Sequence, residues 1–182
     1  MVTEPVLIIG FNRPQHLQVL LDRLREIQPT IIYVAIDGPR EGKIGEAEQV
    51  QACHTLVTQI DWDCEMHTNF QDVNLGCGLG VSTAISWFFD HVDRGIILED
   101  DIVPHPTFFP YCTELLDLYE NNNSVFAISG CNFVPPSFQS NPKDSFRFSQ
   151  VPHIWGWATW KSRWSLYSLD IDGWRHQLPA RK

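Results

Sequence analysis

The sequence predicts one α/β domain with three layers, α/β/α, built around a mostly parallel central sheet. Three observations point there. Apolar runs of strand length alternate with segments of helical spacing from residue 5 to residue 131. The first two runs stop at Asn-Arg-Pro and Asp-Gly-Pro, turn chemistry that closes a strand and admits a helix. The chain has 182 residues, 43% apolar and 19% charged, which is enough for one substantial core and short for two. Residues 132–182 differ in character from 1–131, being Pro-, Asn- and aromatic-rich, within the same single domain.

Taken in order, PVLIIGF (5–11) is a buried strand ended by Asn12, Arg13 and Pro14. Leu17, Leu20, Leu21, Leu24 and Ile27 then recur at three- and four-residue intervals, one apolar helix face closed by Pro29. TIIYVAIDGP (30–39) is β-branched and forms a second buried strand. Ala47, Val50, Cys53, Val57 and Ile60 mark a second helix, and DCEMHTNF (63–70) a less apolar third strand placed towards an edge. NLGCGLG (74–80) reads as a glycine-rich turn leading into a helix whose Val81, Ala84, Ile85, Phe88 and Val92 share a face. RGIILEDD (94–101) is a fourth strand, a helix follows from Pro106 to Glu120, and VFAISGC (125–131) is a fifth strand. Beyond them, FRFS (146–149) has strand character and a Trp-dense helix is expected near 156–167.

The formal net charge of −9 argues against nucleic acid or an anionic membrane as partner, because both call for clustered Lys and Arg. A phosphate-bearing small molecule remains open, provided a divalent cation or an arginine neutralises it locally. The five cysteines are odd in number, widely spaced and without a CxxC pair, so reduced thiols are expected rather than disulfides or a zinc site. The start, MVTEPVLIIGF, lacks the basic residues and long apolar core of a signal peptide, and no apolar stretch is long enough for a transmembrane segment. Both observations point to the cytoplasm, including the inner face of its membrane.

In an open parallel sheet, ligands collect beyond the carboxyl ends of the strands. That rim receives Asn12 and Arg13 after the first strand, Asp37 after the second, and Glu99, Asp100 and Asp101 after the fourth. Alone, the triplet reads equally as a solvated loop, Asp37 as an ordinary turn residue and Arg13 as a surface cation. Their common rim links them. Alternation along an extended chain would point Glu99 and Asp101 one way and Asp100 the other. Hard carboxylate oxygens suit Mg²⁺ or Mn²⁺, which bind substrate phosphates directly. The glycines of NLGCGLG follow the third strand with the wrong spacing for a dinucleotide fingerprint, which excludes a dinucleotide-dependent dehydrogenase. In HIWGWATWKSRW (153–164) the four tryptophans cannot share one helical face, so some form core and others suit an aromatic wall against a sugar. Asp170 and Asp172 follow as candidate bases or turn carboxylates.

On PVLIIGFNRP, AIDG, NLGCGLGVSTAI, ILEDDIVPHPTFFPY and WGWATW, the chain resembles the GT-A glycosyltransferases, the nucleotide-diphospho-sugar transferases. It is most similar to the N-acetylglucosaminyltransferase I group and its bacterial relatives. The resemblance covers nearly the whole chain. It implies a GT-A fold, with residues 1–131 binding the nucleotide-sugar donor and 132–182 serving the acceptor. It also implies metal-dependent transfer from a nucleoside diphosphate carrier, such as a UDP-sugar, to a hydroxyl of a glycan, lipid or protein, with inversion. Phe11, Asn12, Arg13 and Asp37 would hold the nucleotide, and Asp101 the Mn²⁺ or Mg²⁺. Asp100 and Glu99 would contact ribose or donor sugar, and Gly156 and Trp157 would line the donor and acceptor pocket. The family's base lies in a pair of adjacent acids before a Trp. Here Asp172-Gly173-Trp174 leaves Asp172 as the nearest match and Asp170 in reserve. Family domains usually extend further than Lys182, so a shortened, non-catalytic nucleotide-sugar or glycan-binding module is the alternative expectation. A nucleotidyltransferase would call for a Gly- and Lys-rich loop after the first strand, which GFNRPQH lacks.

Overall fold

The computed structural model describes residues 2–135 and 145–170. Its elements are β1 (Val6–Gly10), α1 (Pro14–Ile27), β2 (Ile31–Ile36), α2 (Glu46–Val57), β3 (Glu65–Phe70) and α3 (Gly76–His91). They continue through β4 (Arg94–Glu99), α4 (Phe108–Tyr119), β5 (Ile128–Ser129), β6 (Trp157–Trp160) and the single turn α5 (Lys161–Trp164). The sheet order is β3-β2-β1-β4-β6-β5. β1 pairs in parallel with β2 and β4, and β2 with β3, while β6 runs antiparallel between β4 and β5. The carboxyl ends of β1 to β4 therefore share one rim.

Apolar packing covers both faces. Leu17, Leu20, Leu21 and Leu24 of α1, Val50, Cys53 and Val57 of α2, and Phe109, Cys112 and Leu116 of α4 bury one face with Val6, Ile8, Ile96 and Leu98. On the other, Ala84, Ile85, Phe88 and Phe89 of α3 meet Leu7, Ile9, Tyr33 and Ile97. Full burial of a large apolar side chain stabilises a fold by about 1.5–3 kcal/mol, so these two layers dominate its energetics. α1 begins at Pro14 and ends at Gln28, whose left-handed backbone (φ 52°) stops the helix just before Pro29. No helix among the described residues is long and apolar enough to cross a membrane.

Five local expectations are corrected. Glu46, not Ala47, is the buried residue at the start of α2, because arginine and asparagine donors satisfy its carboxylate. The helix α3 begins inside the glycine-rich segment, at Gly76, whose positive φ of 78° starts the turn. The fifth strand shrinks to Ile128–Ser129, and FRFS lies outside any strand, its phenylalanines packing edge-on with each other and with Tyr119. The Trp-dense segment is chiefly a strand. Ala158 and Trp160 of β6 join the α1–α2–α4 side while Trp157 joins the α3 side, the period-2 division of a two-faced strand. Arg163 follows, its guanidinium 4.4 Å from the Trp160 ring and its Nη2 donating to the Glu120 carbonyl at 2.6 Å, which satisfies a carbonyl at the end of α4.

Candidate functional site

A cleft of about 450 Å³ opens at the carboxyl ends of β1, β2, β3 and β4. Phe11, Asn12, Arg13, Asp37, Glu99 and Asp100, all singled out in the sequence, line it together. β1 ends at Gly10 and releases Phe11–Arg13 into α1, while β4 ends at Glu99.

The acidic triplet does not alternate as a strand would. The Asp100 amide still donates to the Ile9 carbonyl at 2.9 Å, but the chain turns at Asp100 and Asp101, and the Ile102 amide donates back to the Glu99 carbonyl at 3.0 Å. The turn brings Asp100 and Asp101 to one guanidinium. Arg13 donates through Nε to Asp100 Oδ2 at 3.3 Å, through Nη2 to Asp100 Oδ1, and through Nη1 to Asp101 Oδ2 at 3.0 Å. Asp100 is 2% exposed. Burial pushes its carboxyl above the usual range, opposed by the Arg13 hydrogen bonds and charge. Glu99 takes no part in this clasp. Half-buried, it is also raised, first by burial and then by the neighbouring charges of Asp101 and Asp100. A carboxylate so placed gains from a ligand hydroxyl that donates to it.

Asp37 is saturated by its surroundings. Its Oδ1 accepts from the amides of Gly38 and Leu75, each at 2.9 Å, and its Oδ2 from Asn74 Nδ2 at 2.9 Å and the Gly76 amide at 3.1 Å. The carboxylate thus ties the end of β2 to the start of α3 and supplies negative charge where the helix exposes amides.

Four further residues, Arg40, Glu46, Asn69 and Gln71, are not among those the sequence singles out. Arg40 lines the cleft, and Glu46, buried at the head of α2, holds it. Glu46 Oε2 accepts from the Arg40 amide at 2.7 Å, both carboxylate oxygens accept from Arg40 Nε at 3.1 Å, and Oε1 accepts from Nη2 at 2.5 Å and from Asn12 Nδ2 at 3.0 Å. These donors pull the Glu46 carboxyl down to about 2. The guanidinium carbon lies 5.7 Å from the Phe11 ring centroid. The signal for this pair was a six-residue separation across a Gly-containing loop, which no periodicity exposes. At the β3 end of the cleft, Gln71 Nε2 donates to Asn69 Oδ1 at 2.8 Å, leaving one amide NH₂ and one amide oxygen of the pair for a ligand.

The acidic turn is shared with a second, larger cavity. Asp101 lines it, as do Gly156 and Trp155, and its volume is about 1610 Å³. Gly156 takes a positive φ of 66°, a conformation favouring glycine, and its carbonyl accepts from the Gly130 amide at 2.8 Å. Trp157 lines neither cavity. It sits in β6 with its ring 6.4 Å from Trp164, whereas the exposed Trp155 stands edge-on to Phe133 at 6.1 Å. Asp170 is exposed, with its amide bonded to Ser168 Oγ at 3.0 Å. Asp172 lies outside the described residues.

Among the described residues, no group of three or more His, Cys, Asp or Glu side chains converges as a protein-only metal cage. Mg²⁺ and Mn²⁺ do not need one, since a single carboxylate with substrate phosphates and waters suffices. Asp101 fits that donor set. It is exposed, and its ion pair with Arg13 uses Oδ2, which leaves Oδ1 for a cation.

No family model and no curated protein matches the chain. Among solved structures it is similar to the crystal structure of 4-diphosphocytidyl-2C-methyl-D-erythritol synthase from Anaerococcus prevotii, with a TM-score of 0.53 and 10% identity. The match covers 97% of this chain and 84% of that one. The shared feature is the α/β fold, here with a mostly parallel six-stranded sheet. At that identity the likeness concerns the fold, and the chemistry must be argued from the cleft.

Proposed function

We propose that this protein is a glycosyltransferase similar to the N-acetylglucosaminyltransferase I group, which moves a sugar from a nucleoside diphosphate donor to an acceptor hydroxyl. One observation carries the reading. Two cavities meet at a single acidic turn, with Glu99 and Asp100 in the smaller and Asp101 in the larger. The smaller suits a nucleotide, with cations, carboxylates and the Asn69–Gln71 amides along its length. That amide pair leaves a donor and an acceptor, which can meet the donor–acceptor edge of a pyrimidine, and a UDP-sugar supplies one. The larger cavity, with Trp155 on its wall, suits a glycan, lipid or protein acceptor.

In the proposed reaction the acceptor oxygen attacks the anomeric carbon. The bond from that carbon to the diphosphate breaks, the diphosphate leaves with the electron pair, and the acceptor proton passes to Asp172 or Asp170. Such proton transfer contributes typically about 10²- to 10⁴-fold. A Mg²⁺ or Mn²⁺ ion held by Asp101 would supply neutralisation of the diphosphate charge. Glu99 orients the sugar by accepting from a hydroxyl, while Arg13 keeps the turn folded.

The fold neighbour supports a second reading, because its name describes the synthesis of a diphosphocytidyl compound, a product that nucleotidyl transfer would also give. Against it, the β1 loop GFNRPQH has no lysine and no run of glycines to cradle a triphosphate. Incubation with radiolabelled nucleotide sugars, Mn²⁺ and a range of acceptors separates the readings. Release of nucleoside diphosphate with label in the acceptor supports sugar transfer. Pyrophosphate release from a nucleoside triphosphate and a sugar phosphate would replace it with nucleotidyl transfer, and binding of nucleotide sugar without any turnover with a non-catalytic binding module.

A further inference from the structure

The cleft holds two arginines, and they are not equally committed. All three side-chain nitrogens of Arg13 donate to the acidic turn: Nε to Asp100 at 3.3 Å, Nη1 to Asp101 at 3.0 Å, and Nη2 to Asp100. Arg40 donates through Nε and Nη2 to Glu46, and its Nη1 has no partner among the described residues. Arg40 is also held in place while keeping a free edge for a ligand. Its side chain is 52% exposed, yet its backbone amide and its guanidinium are held by the same carboxylate, itself 6% exposed.

A half-exposed arginine ordinarily samples many rotamers, and ordering it on binding costs affinity. Here the ordering is done beforehand. Burying a carboxylate is costly unless hydrogen bonds satisfy it, and Arg40 and Asn12 supply those bonds. Phe11 supports the guanidinium from its face, 5.7 Å away, which leaves the in-plane N–H groups for an oxyanion.

We infer that Arg40 is the cation of this chain that takes the diphosphate of the nucleotide, and that Glu46 is its positioning residue, while Arg13 serves the acidic turn. The assignment rests on the nucleoside-diphosphate reading of the cleft. It departs from the expectation carried by resemblance, in which the first-strand loop with Arg13 binds the phosphate region. A guanidinium fork forms charge-assisted bonds to phosphate that a neutral side chain cannot replace.

Calorimetric titration of uridine and UDP into the wild type, Arg40→Met, Arg40→Lys and Glu46→Gln tests this, with melting temperatures recorded for each protein. Wild type is expected to prefer UDP to uridine. Arg40→Met should weaken UDP binding about ten- to hundredfold and leave uridine within about twofold, so that the preference collapses. Arg40→Lys should restore part of it. Glu46→Gln should weaken UDP in the same direction by a smaller factor, and again spare uridine. An unchanged UDP-to-uridine ratio in Arg40→Met overturns the assignment while leaving the nucleotide reading intact. Equal losses for both ligands would make Arg40 a structural brace of its loop and also overturn it. If wild type binds no nucleoside diphosphate at all, the reading of the cleft falls, and this assignment with it.

Discussion

Replacing Asp37 by Asn changes one atom and should cost a large part of the fold's stability. The carboxylate accepts four hydrogen bonds, two at each oxygen, from Gly38, Leu75, Asn74 and Gly76, at 2.9–3.1 Å. An amide offers one acceptor oxygen and one NH₂. Whichever way it is turned, two donors lose their acceptor and face another donor. Hydrogen bonds to charged groups contribute about 1.5–3 kcal/mol each, and partial exposure of the site discounts that figure, so the loss of two predicts about 2–4 kcal/mol. For a chain of this size the shift in melting temperature is roughly 5–15 °C. Urea titration without ligand, followed by circular dichroism, measures it directly. A loss under about 0.5 kcal/mol, the usual effect of a surface substitution, would refute the claim that Asp37 ties β2 to α3.

The remaining predictions concern the core, the pH response and the metal. Gly95→Ala would place a methyl 2.3 Å from Phe88 Cζ and 2.8 Å from the Pro5 carbonyl, and overpacking of this kind costs about 1–3 kcal/mol by urea melt. Glu46 is held from 4.5 down to about 2, chiefly by its hydrogen bonds to Arg40, so the folded state binds that proton less readily than the unfolded chain does. The stability it contributes is full above 4.5 and lost as pH falls towards about 2; melting curves across that window should show wild type losing its advantage over Glu46→Gln. Asp101→Asn should remove the Mn²⁺-dependent part of UDP binding in calorimetry and leave the metal-free part, whereas unchanged Mn²⁺ dependence would take the metal away from Asp101.

Periodicity made the sheet and its main helices legible, because residues such as Leu17, Leu20 and Leu24 have one packing solution on a covered sheet. The rim was legible for the same reason: parallel strands ending at Gly10, Ile36 and Glu99 deliver their following residues to one edge. What lies beyond periodicity was hidden. The chain turns at Asp100 through the Ile102–Glu99 backbone bond and is clasped by a long-range partner, Arg13, so strand alternation misplaces the triplet. Glu46 was passed over because a buried carboxylate is recognisable only with its donors in view. In WGWATW, helical and strand spacing compete over four residues, and the vacant edge of β4 decided for the strand.

The central claim is that a nucleoside diphosphate sugar lies along the carboxyl edge of the sheet and reaches the acidic turn. A crystal structure with UDP and Mn²⁺ tests it most directly. The base should lie near Asn69 and Gln71 and the diphosphate beside Arg40, with Asp101 as the residue that holds the metal. Nucleotide bound elsewhere on the chain, or lying in the cleft with its diphosphate turned away from the Glu99–Asp101 turn, would contradict it.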